Sequence, residues 1–409
     1  MCILYLTHCA DNSKFMVPNY SKLFLDPQIQ YPSPNGQLDY AEYIDACKLL
    51  IERTRLDLAK QPEKIINANA PFELRPHPPS NNQKIKTGAL LIHGLLDSPL
   101  TMRDIGTELY VEGILVRSVL LPGHGTVPGA LLNINYQEWI QTIEQAVSAL
   151  ANEVEQIYLV GFSTGASLAL HHATHFPANI AGIISIAPAL KINCPFDFLA
   201  HVPATIGKSW PPAAWFHKDK QETLDYAKYR STPFNAAYQV YRLAKEIKTE
   251  PQPSCPLFFT LAASDVTVLS QVSIRYFHTN PNPKSRMVLY SNQTKHTHND
   301  KRIIIRSSNY PKQRIRSFSH ITIPIAPTNS HYGKNGDYPE ASHIETNSAV
   351  IYGEHYLPPM NFHNFLYKHK LARYQYQRLS FNPDFAYLAE QIRQFIRDTS
   401  LSSHPADNL

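Results

Sequence analysis

The residues with the clearest chemical meaning are Gly161-Phe-Ser163-Thr-Gly165. This serine, flanked by glycines, follows the apolar run Ile157-Tyr-Leu-Val160 and precedes a helix-compatible stretch at 166–175. That order predicts a strand, a sharp turn and a helix, with Ser163 Oγ lifted above the strand end. The glycines remove Cβ atoms where strand and helix must approach closely. The helix aims its first amides at the turn, where they favour negative charge. Such a serine suits attack on a carbonyl carbon. It then needs an imidazole to take its proton and a carboxylate to orient that imidazole.

The partners should follow in the order serine, acid, histidine. Leu257-Phe-Phe-Thr-Leu-Ala-Ala-Ser-Asp265 reads as a strand ending in an acid, with Val266-Thr-Val268 behind it. Asp265 is therefore the expected acid, the alternative reading being a surface Asp that caps the next helix. Asp300 is the alternative, in a less regular stretch. For the base, His296 and His298 lie about thirty residues past Asp265 in the polar run Thr294-Lys-His-Thr-His-Asn-Asp300, where no apolar element seats a ring. His320 lies further on, in Ser317-Phe-Ser-His-Ile-Thr-Ile-Pro324, among alternating apolar residues. His320 is the expected base, with His296 and His298 as alternatives. The choice makes 291–316 an inserted excursion of uncommon length. His331, in Asn329-Ser-His-Tyr-Gly333, is a weaker rival and reads as a surface-loop residue.

These residues need a sheet to hold them. Gly88-Ala-Leu-Leu-Ile-His93, 114–121, Ile157–Val160, 180–186, 257–261 and 286–290 are short apolar runs suited to strands buried on both faces. Helical patterns at 100–112, 136–151 and 166–175 separate them, so βαβ units and a mostly parallel sheet follow. Helices are also expected at 39–60, 220–229, 236–248 and 385–397, and short β-like runs at Ile303-Ile-Ile305 and Ile321-Thr-Ile323. The fold class is α/β: a mostly parallel central sheet flanked by helices, with an inserted cap and a long C-terminal loop excursion. The expected divisions are 1–84, an extension wrapping the core; 85–192, the first part of the core; 193–253, the cap; and 254–400, the second part, with a loop insertion at 291–360.

His93-Gly94 after the first core strand, Leu121-Pro-Gly-His-Gly125 after the second, and the Ser163 turn together resemble the α/β-hydrolase superfamily, and within it the carboxylesterase and monoacylglycerol-lipase-like serine hydrolases. The resemblance covers 85–200 well, is weaker at 255–400 and is absent before residue 70. It implies that the backbone amides of Leu95 and Thr164 form the oxyanion hole. It implies structural roles for His93 and for Pro122-Gly-His-Gly125. It also implies a carboxylic ester substrate, of medium-chain or monoacylglycerol type rather than a long triglyceride. Enzyme alternatives are a thioesterase or acyltransferase using the same serine, or a cofactor-free haloperoxidase or peptidase-like relative. The non-enzyme alternative is a binding protein on a hydrolase core.

The wider composition narrows the partners. Of 409 residues, 43% are hydrophobic and 17% charged, enough for a large core. Thirty-eight Lys and Arg against 33 Asp and Glu give a net charge of +5. That is too mild and dispersed to indicate nucleic acid, and it leaves room only for peripheral contact with anionic lipid. Phe196, Phe198, Leu199, Trp210, Trp215 and Phe216 would either line a pocket mouth or pack the cap onto the sheet. None of the nineteen histidines falls in H-x-x-x-H with a glutamate inside the same helix, so no metal is expected, and the chemistry needs no organic cofactor. Five cysteines (2, 9, 47, 194 and 255) read as free thiols, with a 194–255 bridge as the alternative. Apolar Met1–Leu6 is too short for a secretory core and no later run spans a membrane. A cytoplasmic chain is expected, an exported or anchored one being the alternative if its start lies further upstream. No feature points to a particular oligomeric state.

Overall fold

The computed structural model describes residues 20–36, 39–59, 61–77, 84–193, 211–292, 300–338, 350–354 and 375–400. In chain order, the described elements begin with α1 (Tyr40–Thr54), α2 (Pro62–Asn69), β1 (Glu73–Leu74), β2 (Ile85–Ile92), α3 (Arg103–Val111) and β3 (Leu115–Ser118). They continue with α4 (Tyr136–Ala151), β4 (Val154–Phe162), α5 (Thr164–His175) and β5 (Ile180–Ile186). After these come β6 (Trp215–His217), β7 (Thr232–Pro233), α6 (Phe234–Thr249), β8 (Leu257–Ala262), α7 (Ser270–His278) and β9 (Arg286–Ser291). The last are β10 (Ile303–Ser307), β11 (Val350–Gly353), β12 (Gln375–Arg378) and α8 (Phe385–Thr399).

Strands β2, β4, β5 and β8 are almost wholly apolar and buried, so they pair in parallel at the centre with helices on both faces. The sheet order is β1-β3-β2-β4-β5-β8-β9-β10, with only β1 antiparallel to its neighbour. Alternation along each strand divides the core. Ala89, Leu91, Tyr158 and Val160 face α3 and α8, whereas Leu90, Ile92, Ile157 and Leu159 face α4 to α7. Helix α4 starts from a capping box of Asn135 and Glu138, and α1 from one of Asp39 and Glu42.

Several elements depart from the sequence expectations. Ile303-Ile-Ile305 lies in the stretch expected to be a loop insertion, yet β10 is the half-buried edge strand of the central sheet, parallel to β9. It covers the row of backbone donors and acceptors that β9 would otherwise leave unpaired. Ile321-Thr-Ile323 is not a strand: His320–Thr322 is a 3-10 turn, because Ser319 and Thr322 cap one another. Only Glu222–Leu224 is helical within 220–229. There the side chains of Asp219, Glu222 and Asp225 accept from the backbone amides of Gln221, Arg230 and Ala227, in competition with a helical ladder. Within the extension expected to wrap the core, Glu73–Leu74 forms β1 and joins the sheet beside β3; Arg117 on β3 joins Glu73 and Glu153.

The described part of 20–77 lies against the β3 end of the sheet. Tyr40 OH donates to Ser118 O, Tyr43 OH accepts from Leu120 N–H, and Tyr31 OH bonds Thr126 Oγ1. Cys47 and Cys255 are free thiols; Cys2, Cys9 and Cys194 lie outside the described residues. Among the described residues, no helix is long and apolar enough to cross a membrane.

Candidate active site

The turn between β4 and α5 places Ser163 at φ 54°, ψ −115°, a conformation that L residues rarely adopt and that is held only where the surroundings over-determine it. Those surroundings are tight. A Cβ on Gly161 would sit 2.3 Å from Gly165 O, and one on Gly165 would sit 2.1 Å from Ile92 O. Ser163 N–H donates to Ile186 O at 2.8 Å on the neighbouring strand.

At the end of β8, Asp265 turns its fully buried carboxylate toward His320. Oδ1 accepts from Thr267 N–H at 2.7 Å and Val268 N–H at 3.0 Å, and Oδ2 accepts from His320 Nδ1–H at 2.6 Å. That fixes the proton on Nδ1 and leaves Nε2 to accept from Ser163 Oγ at 2.9 Å. Sequence positions 163, 265 and 320 thus meet in one hydrogen-bonded line. Phe162 packs beside the imidazole, ring centroids 5.0 Å apart.

The His320 turn is assembled from remote pieces. Phe318 is buried against Tyr290, and its carbonyl accepts from Ser264 Oγ, which ties the base segment to the acid turn. Ser319 Oγ and Thr322 Oγ1 both donate to Leu379 O, just past β12. Glu354, just past β11, accepts from the backbone N–H of His320 at 3.0 Å and of Val266 at 3.4 Å. Its carboxylate is nearly buried and faces Arg378 Nε at 3.4 Å. Glu354 and Arg378 escaped the sequence reading because the first lies within the expected loop insertion and the second just past it. The apolar run Val350-Ile-Tyr352 was the one local signal of a strand there.

Two further histidines shape the other wall. His93 Nε2 accepts from Leu121 N–H while Nδ1–H donates to Gly94 O. His124 Nε2 accepts from Leu96 N–H while Nδ1–H points at the carbonyls of Leu121 and Pro122. Burial pushes the first imidazole down to about 4 and the second to about 3, so both rings are neutral staples at neutral pH. They fix the loop carrying Leu95. Among the described residues, no hydrogen bond takes up the amide of Leu95 or that of Thr164, the first residue of α5.

Leu95, Ser163, Thr164 and His320 border one cavity of about 700 Å³, with predominantly apolar walls. Phe216, Phe234, Val240 and Val268 line it, as do Lys228 and Arg378. Asp97 also borders it, pinned by Ser98 N–H and Thr101 Oγ1, with Lys228 Nζ 3.6 Å away. Of the cap aromatics, Phe216 lines the cavity against Phe234, whereas Trp215 packs on Phe24. Phe196, Phe198, Leu199 and Trp210 lie outside the described residues, as do His296 and His298. Asp300 is bound to Arg302 and His278 instead of a catalytic imidazole. His331 corrects its expectation as a surface residue: it is buried, with Nδ1 2.7 Å from Asp337 and Nε2 3.0 Å from Asp225. Two carboxylates on one ring made burial affordable, a pairing that its local sequence does not announce.

A parallel sheet with a serine turn, an acid and a histidine in this order has the α/β-hydrolase fold. Residues 83–302 match the model of the family described as serine aminopeptidase, S33, and the chain belongs to that family. Over 105 residues it is 31% identical to a thermostable monoacylglycerol lipase from Bacillus sp. (strain H-257), a match covering 26% of this chain and 42% of that protein. The chain thus spans less than half the length of that curated relative. Among solved structures, it is similar to one reported with LipS and LipT, two metagenome-derived lipolytic enzymes (22% identity, TM-score 0.45, 54% of this chain and 86% of the other). It is also similar to the monoacylglycerol lipase of Paleococcus ferrophilus (18% identity, TM-score 0.44, 54% and 88%).

Proposed function

We propose that the chain is a serine hydrolase of carboxylic esters, acting on lipid-like acyl groups through Ser163, His320 and Asp265. The observation that carries this reading is the unbroken line Ser163 Oγ–His320 Nε2 (2.9 Å) and His320 Nδ1–Asp265 Oδ2 (2.6 Å) at the edge of an apolar cavity. His320 takes the proton as Ser163 Oγ attacks the ester carbonyl. The amides of Leu95 and Thr164 receive the developing oxyanion. The imidazolium, oriented by Asp265, protonates the departing alcohol. Water then enters with His320 as base, and the free acid leaves.

Two points favour an ester over a peptide amine terminus, despite the family's description. The monoacylglycerol lipase from Bacillus supports a lipid-like ester. An aminopeptidase needs a carboxylate free to hold the substrate ammonium, and Asp97 at the cavity edge already faces Lys228. The apolar walls accept an acyl chain of medium length, and contact with a lipid surface is part of the same proposal.

The test is turnover of p-nitrophenyl esters of increasing chain length, and of an aminoacyl p-nitroanilide, by wild type, Ser163→Ala, His320→Ala and His296→Ala, with circular dichroism as the folding check. Ester turnover lost in the first two variants and retained in His296→Ala is the expected result. Retained turnover in His320→Ala with loss in His296→Ala would move the base. A folded wild type that turns over no ester would overturn the proposal.

A further inference from the structure

Away from the cavity, α5 and α6 pack together through Leu170, Ala173, Leu243 and Ile247. Beside that seam, each helix presents two ligand-type residues four apart, hence on one face. His171 and His175 come from α5, Glu246 comes from α6, and Glu250 is the residue capping its C-terminus. One ligand atom from each lies within 4.8 Å of all the others.

Hydrogen bonding alone leaves this arrangement unexplained. His175 Nδ1 is 2.9 Å from His171 O, an acceptor, so the proton sits on Nδ1. In the neutral ring Nε2 then points a lone pair at Glu250 Oε1, 3.3 Å away. His171 Nε2 lies 3.4 Å from Glu246 Oε1. His171 Nδ1 and Glu250 Oε2 are buried and find no hydrogen-bond partner among the described residues. Separations of 3.3 and 3.4 Å exceed the roughly 2.7–2.9 Å of a charge-assisted hydrogen bond. These two separations match an edge, about 3.3 Å, of a tetrahedron whose N and O ligands lie about 2.0–2.1 Å from a central Zn²⁺, and the other pairs, all within 4.8 Å, draw in around the ion.

We propose that His171, His175, Glu246 and Glu250 form a tetrahedral two-nitrogen, two-oxygen site for a divalent transition-metal ion, of which Zn²⁺ fits best. Two imidazoles and two carboxylates neutralise a dication. Two supporting contacts are those a metal site uses: His171 O fixes the His175 ring, and Tyr136 OH donates to Glu246 Oε2 at 2.8 Å, which leaves Oε1 free to ligate; His171 Nδ1, across the ring from its ligating Nε2, has no such contact among the described residues. Four protein ligands close the coordination sphere, so the ion is structural. It pins α5, which starts at the Ser163 turn, to α6, whose first turns line the cavity with Phe234, Ala237 and Val240. No metal motif within one helix announces the site, because the carboxylates come from the end of α6 and its cap residue.

The test uses untagged full-length protein, wild type and the variants His175→Gln and Glu250→Gln, whose side chains are partly exposed and whose loss leaves no packing void. Zn²⁺ binding is measured by calorimetry after chelator treatment, with Co²⁺ absorption as the geometric probe and thermal unfolding as a second readout. The expected result is one tight equivalent in wild type, visible Co²⁺ bands of a tetrahedral site, and a rise in melting temperature with Zn²⁺. Each variant should lose at least about 10-fold in affinity and all of the Co²⁺ signature. Absence of binding to wild type, or binding unchanged in both variants, would overturn the proposal. Because Ser163, His320 and Asp265 are untouched, ester turnover reports on the other proposal separately.

Discussion

Ser163 is held by atoms from its own strand, turn and helix, with Ile92 O and Ile186 O closing in from the adjacent strands. His320 is held by Ser264 and Asp265 after β8, by Glu354 after β11 and by Leu379 after β12. One half of the site is a rigid local device; the other is a junction of four segments. The first has no slack, because backbone meets backbone. The second is a set of hydrogen bonds that can be weakened one at a time. Substitutions on the nucleophile side should therefore act as switches, and those on the base side should act in degrees, except at the group that sets the tautomer.

The largest effect is expected at that exception. Asp265→Asn leaves the shape intact but its amide offers Nδ1 a donor, so the ring turns to the wrong tautomer; ester turnover should fall about 10³- to 10⁴-fold with little change in melting temperature. A loss under about tenfold would mean that the tautomer is set elsewhere. Next is Gly165→Ala. Its Cβ would meet Ile92 O at 2.1 Å, a backbone atom that cannot step aside. Stability should drop by about 3 kcal/mol or more and turnover should go with it. A variant that unfolds like wild type in urea would refute the claim of a rigid local device.

Acid should also strike the nucleophile wall. The buried rings of His93 and His124 have folded values below the usual 6.5, at about 4 and about 3. The unfolded chain thus takes up protons that the folded one refuses. The stability is fully present above 6.5 and is lost as pH falls from there toward those folded values. Each ring contributes a slope of up to about 1.4 kcal/mol per pH unit in that window. Denaturant midpoints measured from pH 7 down to 4 should fall, and His124→Gln should flatten the curve; a pH-independent midpoint would contradict the staple role. The smallest expected effect is Glu354→Gln. The amide oxygen still accepts from His320 N–H, but the pairing with Arg378 is lost. A kcat lowered about 10-fold at unchanged KM would mark a positioning residue, and a change confined to KM would instead place Glu354 with substrate.

The same contrast governs what could be read in the chain. The β4 strand, the glycines around Ser163 and α5 were legible because every determinant lies within about twenty residues of sequence, and patterning is a local signal. Asp265 was legible as the end of a buried apolar run. His320 could be preferred over its rivals from its apolar neighbours, yet nothing nearby revealed Glu354 or Leu379, since hydrogen bonds to distant backbone leave no periodicity. Ile303–Ile305 has a β-like pattern inside an expected excursion, and whether so short a strand joins a sheet depends on the vacant edge beside it. Ile321–Ile323 showed alternation and became a turn, because two hydroxyls captured the backbone first. His331 illustrates the remaining gap: its two carboxylate partners lie 106 positions before and 6 after it.

The contacts of residues 20–54 have a consequence for the order of events during synthesis. Tyr20 pairs with Asp219, Tyr31 with Thr126, and Tyr40 with Ser118. These tyrosines leave the ribosome early, but Tyr40 must wait for 78 further residues and Tyr20 for 199 before their partners exist. Loop closure over such distances is slow and comes after nearer contacts have formed. The stretch made early is thus among the last to dock, and it docks on the loop that carries His124. Docking of residues 20–54 is therefore timed by the synthesis of partners that lie far behind them in the chain.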